Sequence, residues 1–355
     1  MHATPAYAAA DARSPLAPTT IDRRAPRADE VLIDIAFCGV CHSDIHQVRD
    51  EWGGSIYPMV PGHEIVGRVA EAGVAVTRFV VGDAVGVGCF VDSCRQCGQC
   101  RKGQQQYCEQ GMTPTYNGRE RDSGAPTFGG YSTRVAVQQD YVLRIPVSIP
   151  LDRAAPLLCA GITTYSPLRH FGVQPGQRVA VIGLGGLGHM GVKLARAMGA
   201  EVTVLSTTED KRDDALALGA SDFVATRRPG ALKPYGRRFD LVLDTVSAPH
   251  DYNACLRLLD VDGTMVLLGI PEQPAPVAAG MLISGRRRLA GSSIGGIAEI
   301  QEMLDFCAAH GIAADIERIG IAQVNEAYER MLRGDVKYRF VIDCATFADG
   351  SGSTT

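Results

Sequence analysis

The chain has 355 residues, of which 46% are hydrophobic and 21% charged, and a formal net charge of −4. That length suits two domains with packed cores, and the charge provides no basic field for nucleic acid: the densest basic run, Arg286-Arg287-Arg288, reads as a solvated helix end. No stretch approaches the ~18 consecutive apolar residues of a membrane span, and Met1 to Ser14 lack a basic region followed by an apolar run, so a cytoplasmic protein is expected.

The first 150 residues read as short strands and turns. Val31 to Phe37, Ile65 to Val69 and Ala84 to Gly88 are strands, with Gly and Pro between them. From about Leu151 apolar β-branched runs alternate with helical patterns, the signature of βαβ units and a parallel sheet. Strands are expected at Arg178 to Leu184, Glu201 to Ser206, Asp222 to Ala225, Asp240 to Val246, Thr264 to Ile270 and Leu289 to Ile294. Helices fall at Leu187 to Met198, Lys211 to Leu218, around Tyr252 to Leu259, and at Ile297 to His310. A return segment ends in the strand Arg339 to Asp343, and a small, polar tail over 345–355 is expected to be flexible.

Eleven cysteines in a reducing compartment read as thiols rather than disulfides. Cys94-x2-Cys97-x2-Cys100-x7-Cys108 places four within fifteen residues. Four soft ligands with no open position describe a closed structural zinc. A ferredoxin cluster would continue with a three-residue gap and Cys-Pro, whereas here the gap is seven and Glu109 follows. Cys38, Cys89, Cys255, Cys307 and Cys344 lie inside apolar patterns and read as small buried hydrophobes. A second, dispersed set is Cys41 in Cys41-His42-Ser43-Asp44-Ile45-His46, His63 in Gly62-His63-Glu64, and Cys159. Two thiols and one imidazole leave a fourth position open, as a catalytic zinc requires.

Gly183-Leu184-Gly185-Gly186-Leu187-Gly188 follows a strand and opens a helix, the context in which G-x-G-x-x-G binds a dinucleotide pyrophosphate. The next strand ends in Ser206-Thr207-Thr208, with Lys211 and Arg212 beyond, and carries no carboxylate at its end. Hydroxyls and a cation suit a 2′-phosphate, so NADP(H) is expected over NAD.

With these residues in place the chain resembles the zinc-dependent medium-chain dehydrogenase/reductases, in particular the cinnamyl-alcohol dehydrogenase group and its bacterial broad-specificity aldehyde reductases. The resemblance runs from about Ala6 to Cys344. It rests on GVCHSDIH (39–46), VPGHEIVGRV (60–69), VGVGCFVDSC (85–94), LLCAGITTYSPL (157–168), IGLGGLGHMGVKLA (182–195), GSSIGG (291–296) and GDVKYRFVID (334–343). It implies an α/β chain. A GroES-like β-rich catalytic domain over 1–150, completed by 311–344, joins a Rossmann doubly wound parallel-sheet domain over 151–310. It also implies NADPH-dependent reduction of aldehydes to primary alcohols, two zinc ions per chain, and a homodimer joined near Thr264 to Pro276.

The resemblance makes Cys41, His63 and Cys159 catalytic zinc ligands, with Glu64 a carboxylate able to join them. Ser43 and His46 become the proton relay. His42 and Arg339 become pyrophosphate contacts, while Thr245, Gly269, Ser292, Ser293 and Ile294 line the nicotinamide half. Plant members carry Trp where this chain has Pro114 and Phe where it has Ser293, which argues against a strict lignin-precursor role; Trp52 is a further candidate for the substrate pocket. The competing expectations are an NAD-linked primary alcohol dehydrogenase, a zinc-free quinone or enoyl reductase, and a non-catalytic binding module.

Overall fold

The computed structural model describes residues 2–271 and 273–347. They form two compact units, Met1–Cys159 with Gly295–Thr355, and Ala160–Ile294. No helix among the described residues is long and apolar enough to cross a membrane.

The first unit is built around the strand Glu30–Gly39, whose Val31, Leu32 and Ile33 are fully buried. Such a residue run suits a central strand, and it pairs antiparallel with three partners: Ile65–Ala72, Arg134–Gln138 and Arg339–Asp343. The sheet extends through Ala84–Val87 and Leu143–Arg144 on one side and Ile316–Gly320 on the other. A hairpin of His2–Ala8 and Ala17–Arg23 lies outside this sheet.

The second unit is a six-stranded, all-parallel sheet. Its order is Asp222–Ala225, Glu201–Ser206, Arg178–Ile182, Phe239–Asp244, Leu259–Leu267, Arg288–Gly291. The chain first winds outward from Arg178–Ile182 and then crosses to its other side. The order therefore reverses between Arg178–Ile182 and Phe239–Asp244, the switch point outside which open α/β sheets bind ligands. Six strands were expected from the sequence, and the structure shortens several by two or three residues at their carboxyl ends, where the chain turns into loops.

The units divide after Cys159 and Ile294, where the sequence texture suggested 150 and 310. The reason is local packing. Leu151–Ala154 is a short helix held in the first unit by an Asp152–Arg318 ion pair of 2.6 Å. The helix Ile297–His310 buries Ile297, Ile300, Met303, Leu304 and Cys307, one stripe at helical spacing, and stops at left-handed Gly311. Its Gln301 side chain bonds both backbone polar groups of Arg144 (2.9 and 3.1 Å), which ties the helix to the first unit. Cys344–Phe347 is a helical turn of that unit, and the rest of the expected tail lies outside the described residues.

The turn from Arg178–Ile182 into the helix Gly188–Ala197 depends on two glycines. Gly183 has φ +90°, a backbone state costly for any side chain. A Cβ on Gly188 would stand 2.1 Å from the Gly183 carbonyl oxygen, and backbone cannot retreat as a flexible side chain can. Gly188→Ala should therefore destabilise the chain by about 1–3 kcal/mol, read by urea denaturation; an unchanged midpoint would show that the turn opens freely.

Candidate functional site

The short helix His42–Val48 begins at Cys41, which is extended (φ −115°, ψ 151°). Asp44, three residues on, has no solvent exposure. Its carboxylate accepts from the Cys41 N–H (2.9 Å), the Gly62 N–H (3.2 Å) and the Tyr131 hydroxyl (3.2 Å), and faces His63 Nδ1 at 3.2 Å. With Asp44 as acceptor, Nδ1 carries the hydrogen and Nε2 keeps a free lone pair, the form in which imidazole binds metals. Tyr116 stacks on the same ring, with centroids 5.8 Å apart.

Cys41, His63, Glu64 and Cys159, all buried, offer ligand atoms that lie within 4.8 Å of one another. The two Sγ atoms are 3.9 Å apart, close to the ~3.8 Å edge of a tetrahedron with Zn–S of about 2.3 Å. The Cys159 thiol hydrogen-bonds Cys41 and lowers its pKa, while Cys159 is raised by the same bond and by Cys89. Both thiols ionise together only when a cation joins them. Burial pushes Glu64 up to about 7 against the pull of Arg339, whose guanidinium bonds the carboxylate. Glu64 Oε2 has no hydrogen-bond partner among the described residues. A Cβ on Gly39 would lie 1.9 Å from that oxygen, so the carboxylate occupies the space of a missing side chain. Two sulfurs, an imidazole and a partly orphaned carboxylate fit a zinc ion.

The second set is Cys94, Cys97, Cys100 and Cys108, also within 4.8 Å of one another. Backbone N–H groups of Cys94, Cys97, Cys100 and Glu109 point at their sulfurs at 3.3–3.5 Å. The Cys100 N–H, followed by that of Glu109, brings Cys97 down to about 6. Ser93 Oγ lies 3.2 Å from Cys100 Sγ, and the Arg121 guanidinium 3.9 Å from Cys108 Sγ. The N–H donors favour the thiolate at Cys97 and Cys108, while burial pushes Cys100 up to about 11, and four sulfurs so placed fit the closed zinc site read from the spacing.

Ser43 Oγ lies 3.7 Å from Cys41 Sγ. His46 is one helical turn further on, its Nδ1 hydrogen-bonded to Glu51 and its ring stacked on Trp52 at 4.9 Å. Trp52, a pocket candidate in the sequence, is thus half-exposed against the imidazole. Pro114 sits in the two-residue strand Thr113–Pro114, and Tyr116 rather than Pro114 meets the His63 ring. His42 is exposed on the first turn. Arg339, expected at a pyrophosphate, engages Glu64, a contact that sequence reasoning did not foresee. Cys89, read as plain packing, instead is partly exposed; its thiol donates to the Leu158 carbonyl at 3.8 Å, and the nearby Cys159 thiol lowers its pKa.

In the second unit the strand Glu201–Ser206 ends as expected, followed by Thr207 and Thr208. Lys211 reaches back over the glycine loop, its Nζ donating to the Leu184 carbonyl at 3.1 Å. This brings the expected cation to the loop of Gly183, Gly185, Gly186, Leu187 and Gly188. Arg212 turns to Glu209 and lies over the Phe223 ring at 5.1 Å. Thr245 Oγ1 donates to the Ile182 carbonyl (2.7 Å), and the Gly269 N–H points to the Asp244 carbonyl at 3.4 Å. The Ser292 N–H bonds Leu267, Ser293 is exposed, and Ile294 takes a left-handed φ of +39°.

Residues 27–147 match the family described as Alcohol dehydrogenase GroES-like domain, and residues 186–309 match Zinc-binding dehydrogenase. The chain belongs to the zinc-binding alcohol dehydrogenases. It is 58% identical to NADP-dependent alcohol dehydrogenase C 1 of Mycolicibacterium smegmatis, over 98% of this chain and 99% of that one. It is 55% identical to aldehyde reductase YahK of Escherichia coli, over 97% and 99%. Among solved structures it resembles a cinnamyl alcohol dehydrogenase of Sorghum bicolor (TM-score 0.95, 45% identity, 100% of both chains). It also resembles the Helicobacter pylori enzyme complexed with NADP(H) (TM-score 0.91, 41% identity, 96% and 98%).

Sequence reasoning passed over Asp44, although Asp at the third helical position after Cys41 is a capping signal. In this dehydrogenase Asp44→Asn should weaken metal retention about 10–100-fold, measured by chelator competition at constant pH. Retention equal to the unmodified chain would show that Asp44 does not orient His63.

Proposed function

We propose that this chain reduces aldehydes to primary alcohols with NADPH, and oxidises alcohols in reverse, over a broad range that includes aromatic aldehydes. The observation that carries this reading is the buried Cys41, His63, Cys159 set with Ser43 beside it. The switch-point glycine loop and Lys211 of the second unit supply the cofactor half. Relatives named as NADP-dependent alcohol dehydrogenase and aldehyde reductase support the same assignment.

Cys41, His63 and Cys159 would hold the catalytic zinc, with Glu64 in reserve, and Cys94, Cys97, Cys100 and Cys108 the structural one. When bound, zinc supplies a Lewis acid for the carbonyl oxygen, and NADPH supplies the hydride. The chain's own residues do the rest. Asp44 holds the His63 tautomer, and Arg339 bonds the Glu64 carboxylate and opposes the upward push of burial on its pKa. Ser43 hands a proton to the oxygen of the forming alcohol, and His46, backed by Glu51, resupplies protons at the outer end. Ser206, Thr207, Thr208 and Lys211 form the 2′-phosphate site, for which hydroxyls and a cation are suited and a carboxylate is not.

Eleven free thiols, six of them gathered into the two ligand sets, suit a reducing cytoplasm. We infer a homodimer joined along the strand Arg288–Gly291, which among the described residues is paired on one side only, near exposed Ile270 and Ile283. Light scattering on the eluting protein should give twice the chain mass; a monomer at micromolar concentration would refute it.

With cinnamaldehyde as substrate, NADPH should be oxidised far faster than NADH. Lys211→Ala should raise the KM for NADPH about tenfold or more, the worth of a charge-assisted contact, and that for NADH little. Equal effects on both cofactors would sink the phosphate assignment. Cys41→Ala should abolish turnover and lower the zinc content from two ions toward one; full activity in that variant would refute the catalytic metal site.

A further inference from the structure

The turn that follows Phe239–Asp244 faces the same switch point as the glycine loop. It is wedged there. A Cβ on Gly183 would meet Val246 Cγ2 at 2.7 Å, and one on Gly269 would meet the Val246 carbonyl oxygen at 2.5 Å. The Thr245 hydroxyl and N–H both bond the Ile182 carbonyl, at 2.7 and 3.1 Å. The far end of the turn is held by one side chain, His250. Its Nδ1 lies 2.9 Å from the Ala248 carbonyl and its Nε2 3.0 Å from Asp244 Oδ2.

A carbonyl oxygen only accepts, and the Asp244 carboxylate, which also accepts the Val246 N–H at 3.2 Å, is an acceptor too. Both ring nitrogens must then carry hydrogen, which only the imidazolium provides. We propose that His250 is a positioning residue whose positive charge clamps the 245–250 turn in the form the dinucleotide needs, so that cofactor binding depends on its proton. This rests on the dinucleotide-binding reading of the glycine loop.

The groups that face the ring are Asp244 from the strand, and Asp251 and Tyr252 from the start of the helix Tyr252–Leu256, with Cys255 one turn further along. The hydrogen bond to Asp244 raises the imidazole above its ordinary value, and burial works against it. A raised folded-state value means that the clamp is complete in mildly acidic solution and is lost as pH rises through that value. Deprotonation leaves either the Ala248 carbonyl or Oδ2 of the buried Asp244 carboxylate without the His250 donor. The turn then spends time out of place, and the apparent affinity falls by the fraction that is competent.

The test is the NADPH dissociation constant of the full-length, zinc-loaded chain, followed by nicotinamide fluorescence from pH 6.5 to 9.0. The unmodified chain, His250→Gln and His250→Arg are compared at each pH. Glutamine donates from only one atom, so His250→Gln should bind about five- to tenfold more weakly than the unmodified chain at pH 6.5. The two should converge by pH 9.0. His250→Arg, a permanent cation, should bind more tightly than His250→Gln at pH 9.0. A ratio that stays constant across the range would mean a plain packing role and overturn the proposal, as would a ratio of one throughout. Failure of the unmodified chain to bind NADPH at any pH would overturn the dinucleotide reading, and the proposal with it. If the variants do not fold, ring ¹⁵N shifts of the unmodified chain decide: His250 should be doubly protonated at pH 7, and a neutral tautomer there would overturn the proposal.

Discussion

The site depends on one buried carboxylate. Asp44 sits in an interior where an uncompensated charge would be expelled or neutralised, and it persists because four donors converge on it. Those donors come from the Cys41 turn, the Gly62-His63 turn and Tyr131, three segments that are distant in sequence. The same contacts that make the charge tolerable also set where Cys41 and His63 stand. The polar interior is therefore both a structural tie and the means of fixing a ligand tautomer, and neither role can be removed without the other.

Around that tie the chain buries further ionisable groups. Glu64 and Arg339 are both buried and bonded to each other, and one carboxylate oxygen has no donor among the described residues. Such an arrangement costs desolvation, and packing alone would favour an apolar pair. Its presence beside two thiols is what distinguishes this cluster from the second one. The Cys94–Cys108 loop meets the same demand for thiolates with backbone N–H groups near the surface.

Much of the second unit was legible in the sequence. Glu201–Ser206, Asp222–Ala225 and the glycine loop carry local signals: a β-branched run, a turn residue, a helix start. The first unit was legible mainly through its cysteines and histidines. Leu143–Arg144 and Ile316–Gly320 are strands only because of partners far along the chain, which no local pattern encodes. For the same reason the helix Ile297–His310 was legible as a helix but not as part of the first unit, since it is attached through Gln301 to Arg144 and through the Ile297 N–H to Gln105, partners far away in sequence. Arg339 was legible as a functional residue through resemblance, yet its partner Glu64 lies 275 positions away. Cys89 and Asp44 have ordinary neighbours in sequence and acquire their roles only from what folds against them.

Cys159 is the last residue of the first unit before the chain departs at Ala160, and it lies 118 positions from Cys41. A metal held by both, as proposed, closes that long loop as a cross-link would, and the entropy removed from an open chain grows with the length enclosed. The ion that serves the chemistry would then do for this chain what a disulfide does for a secreted protein. It would also make the boundary between the two units a fastened point rather than a free strand, so that stripping the metal would loosen the architecture as well as the reaction.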